Sequence, residues 1–288
     1  MNLYRKTRPS VFEDVVGNES NIEQLKSFVK DEKRPHTYLF TGDSGCGKTT
    51  LARIFATELG ADELSITEMN LADNRGIDTM REVIEKMRYK PAMGTKTVYI
   101  MDEFHRATND AQSAMLQPFE DTPEHVYFIL CTTDPQKVIK TIQTRVTKLE
   151  VDPINFKKLF RYLLKIAKQE EIEVSNAVIK MIAEESDSIR QALVQLEQIA
   201  GITDEEEQKN AIQSGSVDNK QVIELCQVLL KQNWSGCQKI LKSLKEQKID
   251  SEKIRYAVLG YMSAVVINSG NTFAVEALDY FSDNTYDS

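Results

Sequence analysis

Apolar positions in the first half of the chain follow two alternating rhythms. TVYIMDE (97–103) and VYFILCTT (126–133) are continuous apolar runs, as expected of strands buried on both faces of a sheet. TYLFTG (37–42) is apolar, rich in β-formers and ends in glycine, and SITEMNLA (65–72) reads as a further strand. Between these runs the spacing becomes helical. KTTLARIFATELG (48–60) places Leu51, Ile54, Phe55 and Leu59 on one face. IDTMREVIEKM (77–87) does the same with Ile77, Met80, Val83, Ile84 and Met87. Strands separated by helix-length segments predict a parallel α/β sheet over residues 1–151. Upstream, Ser20 and Glu23 read as a capping box opening the amphipathic stretch SNIEQLKSFV.

After Pro153 the strand-like runs disappear. NFKKLFRYLLKIAKQ, NAVIKMIAEES and SIRQALVQLEQIA predict a small helical domain over 152–214. The polar segment TDEEEQKNAIQSGSVDN is expected to hold a linker at GSVD. A second helical domain, 215–288, follows in KQVIELCQVLLKQ, GCQKILKSLKEQ, EKIRYAVLGYMSAVVIN and FAVEALDYF. About 70 residues make a small free-standing core, so this domain is expected to pack against copies of itself or a partner.

Composition narrows the classes. The chain of 288 residues is 41% hydrophobic and 28% charged, ordinary for a globular protein. It holds no apolar run of the roughly 18 residues a membrane helix needs, and MNLYRKTRPSVFEDVVG lacks the apolar stretch of a secretory signal. A cytoplasmic location without membrane partners is expected. The net charge of −8 excludes a uniformly basic surface, although a local patch could still meet nucleic acid. The four cysteines form no C-x-x-C pair and the three histidines are scattered, so neither zinc nor a disulfide framework is expected.

The strongest motif is Gly42-Asp43-Ser44-Gly45-Cys46-Gly47-Lys48-Thr49, followed by Thr50. It matches G-x-x-x-x-G-K-[ST] between a strand and a helix. In that pattern the glycines let backbone N–H groups face phosphates, and the helix start adds its positive dipole end. Lys48 is the candidate for the β- and γ-phosphates of ATP, and the Thr49 hydroxyl for Mg²⁺. Four apolar residues then run into Asp102 and Glu103. Asp102 suits the metal and Glu103 the base that orients a water on the γ-phosphate. Thr133, at the end of the next apolar run, would lie beside Glu103 and could bond the water or the γ-phosphate. Arg190 opens a helix, with Asp187 or Ser188 as its cap, and could swing onto the γ-phosphate with a lid. Arg145, in IQTRV, is either a surface charge or a catalytic part whose target lies in another chain.

Together these residues resemble the AAA+ ATPase subunits of clamp loaders. YRKTRPSVFEDVVGNE (4–19) looks like that family's N-terminal box. YLFTGDSGCGKTTLARIFA, VYIMDEFHRAT and FILCTTDPQKVIKTIQTRV are similar to the tau/gamma subunit of bacterial DNA polymerase III. KQVIELCQVLLKQNWSGCQKILKSL is more like the collar of replication factor C small subunits. The resemblance implies an AAA+ P-loop domain, a helical lid and a helical collar. It implies that Arg8, Val15, Val16 and Pro153 contact the nucleotide, with backbone near Val15 and Val16 holding adenine. It gives Thr133 the sensor-1 place, Arg190 sensor 2, and Arg145 the arginine finger on a neighbouring subunit. It further implies a pentamer of clamp-loader subunits, a sliding clamp and primer–template DNA as partners. Arg75, and Arg106 with Thr108, would touch DNA phosphates, and Met87, Tyr89 and Met93 are candidates for the clamp.

Several features depart from that family. Thr144 and Val146 flank the arginine where Ser and Cys are usual, and no cysteine lies between Cys46 and Cys131, where tau/gamma carries a four-cysteine zinc module. No long tau-like extension follows the short collar, and Pro118 sits where a helix is expected. A compact phage clamp loader would fit, placing the protein in the host cytoplasm. The rival readings are another AAA+ DNA remodeller, such as a branch-migration motor, and a nucleotide-binding scaffold that does not turn over.

Overall fold

The computed structural model describes residues 3–91, 93–215, 219–246, 251–269 and 271–282. It divides into two compact units, Met1–Gly201 and Ile202–Ser288. The first contains α1 (Leu3–Lys6), α2 (Glu19–Lys30), β1 (Thr37–Thr41), α3 (Lys48–Glu58), β2 (Ala61–Asn70), α4 (Ile77–Lys86), β3 (Lys96–Asp102), α5 (Asn109–Ala114), α6 (Leu116–Glu120), β4 (Val126–Thr132), α7 (Lys140–Gln143) and β5 (Thr147–Glu150). Three helices complete it: α8 (Phe156–Gln169), α9 (Asn176–Glu185) and α10 (Ile189–Ile199).

The five strands form one sheet in the order β2-β3-β4-β1-β5, and every pairing is parallel. Both faces are covered. Val98 and Ile100 of β3, Tyr38 and Phe40 of β1, and Tyr127, Ile129 and Cys131 of β4 pack on one side with α3 residues Leu51, Ile54 and Phe55. The intervening Tyr99, Met101, Leu39, Phe128 and Leu130 pack on the other with Met80, Val83, Ala111 and Phe119. This double burial is why the strands read as continuous apolar runs. The edge strand β2 begins four residues before the expected run, through Ala61–Leu64, and its register shifts between Ala61 and Ile66. Met87, which stands both on the apolar face of 77–87 and among the clamp candidates, is buried in the second cluster, as core packing requires.

Two local expectations change. The capping box does not form: α2 starts at Glu19 after Asn18, whose backbone is left-handed and whose side chain makes no cap bond. Asn18 is used elsewhere. Its Nδ2 donates to Asp152 O at 3.0 Å and its Oδ1 accepts from Asp152 N at 2.8 Å, tying the start of α2 to the second residue after β5. Pro118 does not kink a long helix, because the helix is interrupted at Met115 and Pro118 falls in the first turn of α6, where no N–H is required. Caps do appear at the three later helices, where the side chains of Asn155, Ser175 and Ser188 accept from backbone N–H groups.

The second unit holds α11 (Glu205–Gly215), α12 (Asn219–Leu230), α13 (Trp234–Glu246), α14 (Ser251–Ser269) and α15 (Thr272–Ser282). Its core is small, with Val222, Leu225, Cys226, Cys237, Leu244, Val258, Met262 and Ala274 buried together. The compact units part just after α10, so α11 groups with the second unit although its residues were expected to close a domain ending at 214. Most of the expected linker GSVD lies outside the described residues. No helix among the described residues is long and apolar enough to cross a membrane.

Candidate functional site

A cavity in the first unit lies at the C-terminal ends of β1 and β3. Its walls come from the loop between β1 and α3, the segment after α1, Asp102 and Glu103, and the start of α10. Open α/β sheets bind ligands at this end of their strands.

The loop is held open by glycines in conformations that other residues rarely adopt. Gly42, at φ +146°, has no room for a Cβ, which would meet Val151 O at 2.3 Å. Gly45, at φ +77°, passes so close to Ser188 that a Cβ would lie 2.7 Å from its Oγ. Only glycine lets the loop run between β5 and the cap of α10. At Gly47, φ +105°, the Cβ position faces open space and the helix α3 begins.

Lys48 is almost fully buried, at 6% exposure, and folds back on the loop, its Nζ donating to Gly42 O and Asp43 O at 2.8 Å each. These bonds hold the ammonium at the loop's centre. Thr49 Oγ1 donates to Asp102 Oδ2 at 2.8 Å, while Asp102 Oδ1 accepts from the Glu103 backbone N–H. A hydroxyl and a carboxylate side by side suit a hard cation that keeps waters and phosphate oxygens as its other ligands, and Mg²⁺ fits this donor set. Glu103 has a left-handed backbone, φ 52°, which is uncommon for a residue with a side chain. Its side chain lines the cavity, and Oε2 lies 3.3 Å from His105 Nε2.

On the opposite wall, Arg8 Nε donates to Thr50 Oγ1 at 3.1 Å, and burial lowers the guanidinium's pKa. Val15, Val16 and Asn18 line the same region. Arg190 also faces the cavity. Its guanidinium sits 4.9 Å from the Tyr4 ring centre and Nη2 donates to Tyr4 Oη at 3.1 Å. Cys46 is buried at the loop, and burial pushes its thiol pKa up. All four cysteines are free and buried.

Ser44 to Thr50, Arg8, Val15, Val16, Asp102, Glu103 and Arg190 are therefore brought together, while Gly42 and Asp43 contribute the carbonyls that hold Lys48. Pro153 is exposed after β5 and does not line the cavity. Thr133 does not line it either. The preceding Thr132 is the buried one, and its Oγ1 bonds His105 Nδ1 at 3.0 Å and accepts from Asp134 N. Arg145 stands apart on the connection between α7 and β5, paired with Glu120 and donating from Nη1 to Thr141 O at 2.8 Å. Arg75, Arg106 and Thr108 are exposed and adjacent, the Thr108 N–H donating to Arg75 O at 3.1 Å. Tyr4, Asn18, His105 and Thr132 escaped sequence reasoning. Only YRKTRP and the residues following Asp102 carried any signal for them.

The family model described as DNA polymerase III, delta subunit, matches residues 61–155. DNA polymerase III subunit tau of Bacillus subtilis is 29% identical across 92% of this chain and 51% of its own length. DNA polymerase III subunit tau/gamma of Haemophilus influenzae is 30% identical across 88% of this chain and 40% of its own. The chain thus spans about half or less of these relatives' length. Among solved structures, the Thermotoga maritima RuvB Holliday junction branch migration motor superposes with a TM-score of 0.59 at 20% identity, covering 90% of this chain and 79% of that one. That likeness carries the fold alone. The matched segments take in the loop, the acidic pair and Arg145, and this chain, with its parallel five-stranded sheet, is similar over most of its length to the tau/gamma subunits of DNA polymerase III.

Proposed function

We propose that the chain is an ATPase subunit of a DNA sliding-clamp loader. ATP binding would drive assembly of a pentameric spiral that opens a ring clamp, and primer–template DNA would trigger hydrolysis and clamp release during replication. The observation that carries the reading is the Thr49–Asp102 pair beside buried Lys48 and the Glu103 carboxylate, in a chain related to tau/gamma.

Within the site, the loop N–H groups and Lys48 bind the phosphates. Thr49 and Asp102 would hold Mg²⁺, which when bound neutralises charge developing on the phosphates. Glu103 orients a water and takes its proton. Arg190 would leave Tyr4 to reach the γ-phosphate as α10 closes. Arg145 is exposed and does not line its own chain's cavity, which supports a role on a neighbouring subunit's γ-phosphate once Glu120 releases it. A pair at the surface is weak enough for that exchange.

Arg75, Arg106 and Thr108 present two neighbouring helix starts to the backbone of DNA, contacts that position without reading sequence. Tyr89 and Met93, 69% and 56% exposed, offer the apolar contact to the clamp. The test is ATP hydrolysis with primer–template DNA and the ring clamp of the same source. Stimulation by both is expected. Stimulation by four-way junctions instead would favour a branch-migration motor, and tight nucleotide binding without turnover would favour a scaffold.

A further inference from the structure

Glu103 has one neighbour that the proposed chemistry does not use. His105 lies two residues on, in the turn after β3, and its side chain is only 5% exposed. Both ring nitrogens face partners. Nδ1 is 3.0 Å from Thr132 Oγ1, and Nε2 is 3.3 Å from Glu103 Oε2. The carboxylate favours one tautomer. Thr132 Oγ1 already accepts the Asp134 N–H, so its own proton is free to point at Nδ1. The ring proton then sits on Nε2, facing the carboxylate, whereas the opposite tautomer would set a lone pair against a carboxylate oxygen.

Four charged groups surround the ring: Glu103 and Asp134 favour its protonation, Arg106 and Lys137 oppose it, and burial is the largest influence, lowering its pKa. Burial therefore favours the neutral imidazole, with Nε2 facing the Glu103 carboxylate at 3.3 Å. Its other end is anchored on the sheet, because Thr132 ends β4 and pairs in register with Thr41, the last residue before the phosphate-binding loop.

We infer that His105 is a positioning residue for Glu103. Its Nε2, in electrostatic contact with one carboxylate oxygen, keeps that oxygen toward the Thr132 end of β4, which leaves Oε1 to meet the attacking water. Glu103 has a left-handed backbone and a side chain about one-third exposed, so without this contact it would sample several orientations. The inference rests on the proposed ATPase reading and adds to it the residue that aims the base.

The test compares His105→Ala, His105→Phe and His105→Gln in steady-state ATP hydrolysis with Mg²⁺ and primer–template DNA, alongside nucleotide affinity and melting temperature. A misaimed catalytic group costs on the order of 10- to 100-fold in rate. His105→Ala and His105→Phe are expected to lose that much kcat with KM and nucleotide affinity within about twofold of the parent. His105→Gln, which keeps an N–H near the Nε2 position, is expected to recover most of the rate. A merely structural ring would give the reverse order, with Phe active and Gln impaired, and that order overturns the inference. Unchanged kcat in all three overturns it as well. The functional reading fails separately, if the parent chain does not turn over or if Glu103→Gln leaves its rate unaltered.

Discussion

Lys48 and Arg145 are two cations in contrasting situations within the same domain. Lys48 is buried at the head of α3, its ammonium held by two loop carbonyls in the cavity that would take the phosphates. Arg145 has a side chain 41% exposed, lies on the connection between α7 and β5, and is held among the described residues by Glu120 and the Thr141 carbonyl. The first is built into its own chain's site. The second does not line that cavity. A site completed by a neighbour needs a cation that is exposed and lightly held, and an arginine on a short connection meets both conditions. On the proposed reading the contrast separates binding, which one chain would perform, from turnover, which would need two.

The largest expected effects test that separation directly. Arg145→Ala should leave nucleotide binding intact while hydrolysis falls about 10³- to 10⁵-fold, the usual worth of such a finger. Lys48→Ala should lose binding and turnover together, as read by equilibrium titration with a fluorescent nucleotide. Equal losses of affinity in both variants would remove the distinction.

Next comes the base. Glu103→Gln should keep affinity and lose roughly 10²- to 10⁴-fold in rate, the range of general acid–base catalysis. A smaller effect concerns the loop. Gly42→Ala places a Cβ against Val151 O, and denaturant unfolding should report a loss of about 1–3 kcal/mol. An unchanged midpoint would mean that the loop is not pinned by β5. Smallest is the DNA contact: Arg106→Ala should weaken binding to any primer–template sequence alike and reduce the salt slope by about one.

Sequence carried the frame of this account further than its details. Strands buried on both faces announce themselves as apolar runs, so β1, β3 and β4 were legible, as was the glycine-rich loop between β1 and α3. The short β5, with Leu149 its one buried residue, carries too little pattern to be read. At strand ends the pattern loses resolution by a single residue. Thr132 and Thr133 are indistinguishable in CTTD, yet only Thr132 faces inward. Ser20 and Glu23 fit a capping box, but Asn18 is drawn into a long-range pairing with Asp152 and the helix starts early. The Arg190–Tyr4 contact joins residues 186 apart, so no local spacing could reveal it. His105 was passed over because a lone histidine after an acidic pair has no spacing that marks it, and its partner Thr132 is 27 residues away.

The measurement that bears most directly on the division between binding and turnover mixes two inactive variants. Lys48→Ala retains a working finger and no site, and Arg145→Ala retains a working site and no finger. Each should be inactive alone with primer–template DNA and clamp, and hydrolysis should return when the two are combined. Activity in Arg145→Ala alone would contradict the account, as would two inactive variants that stay inactive when mixed.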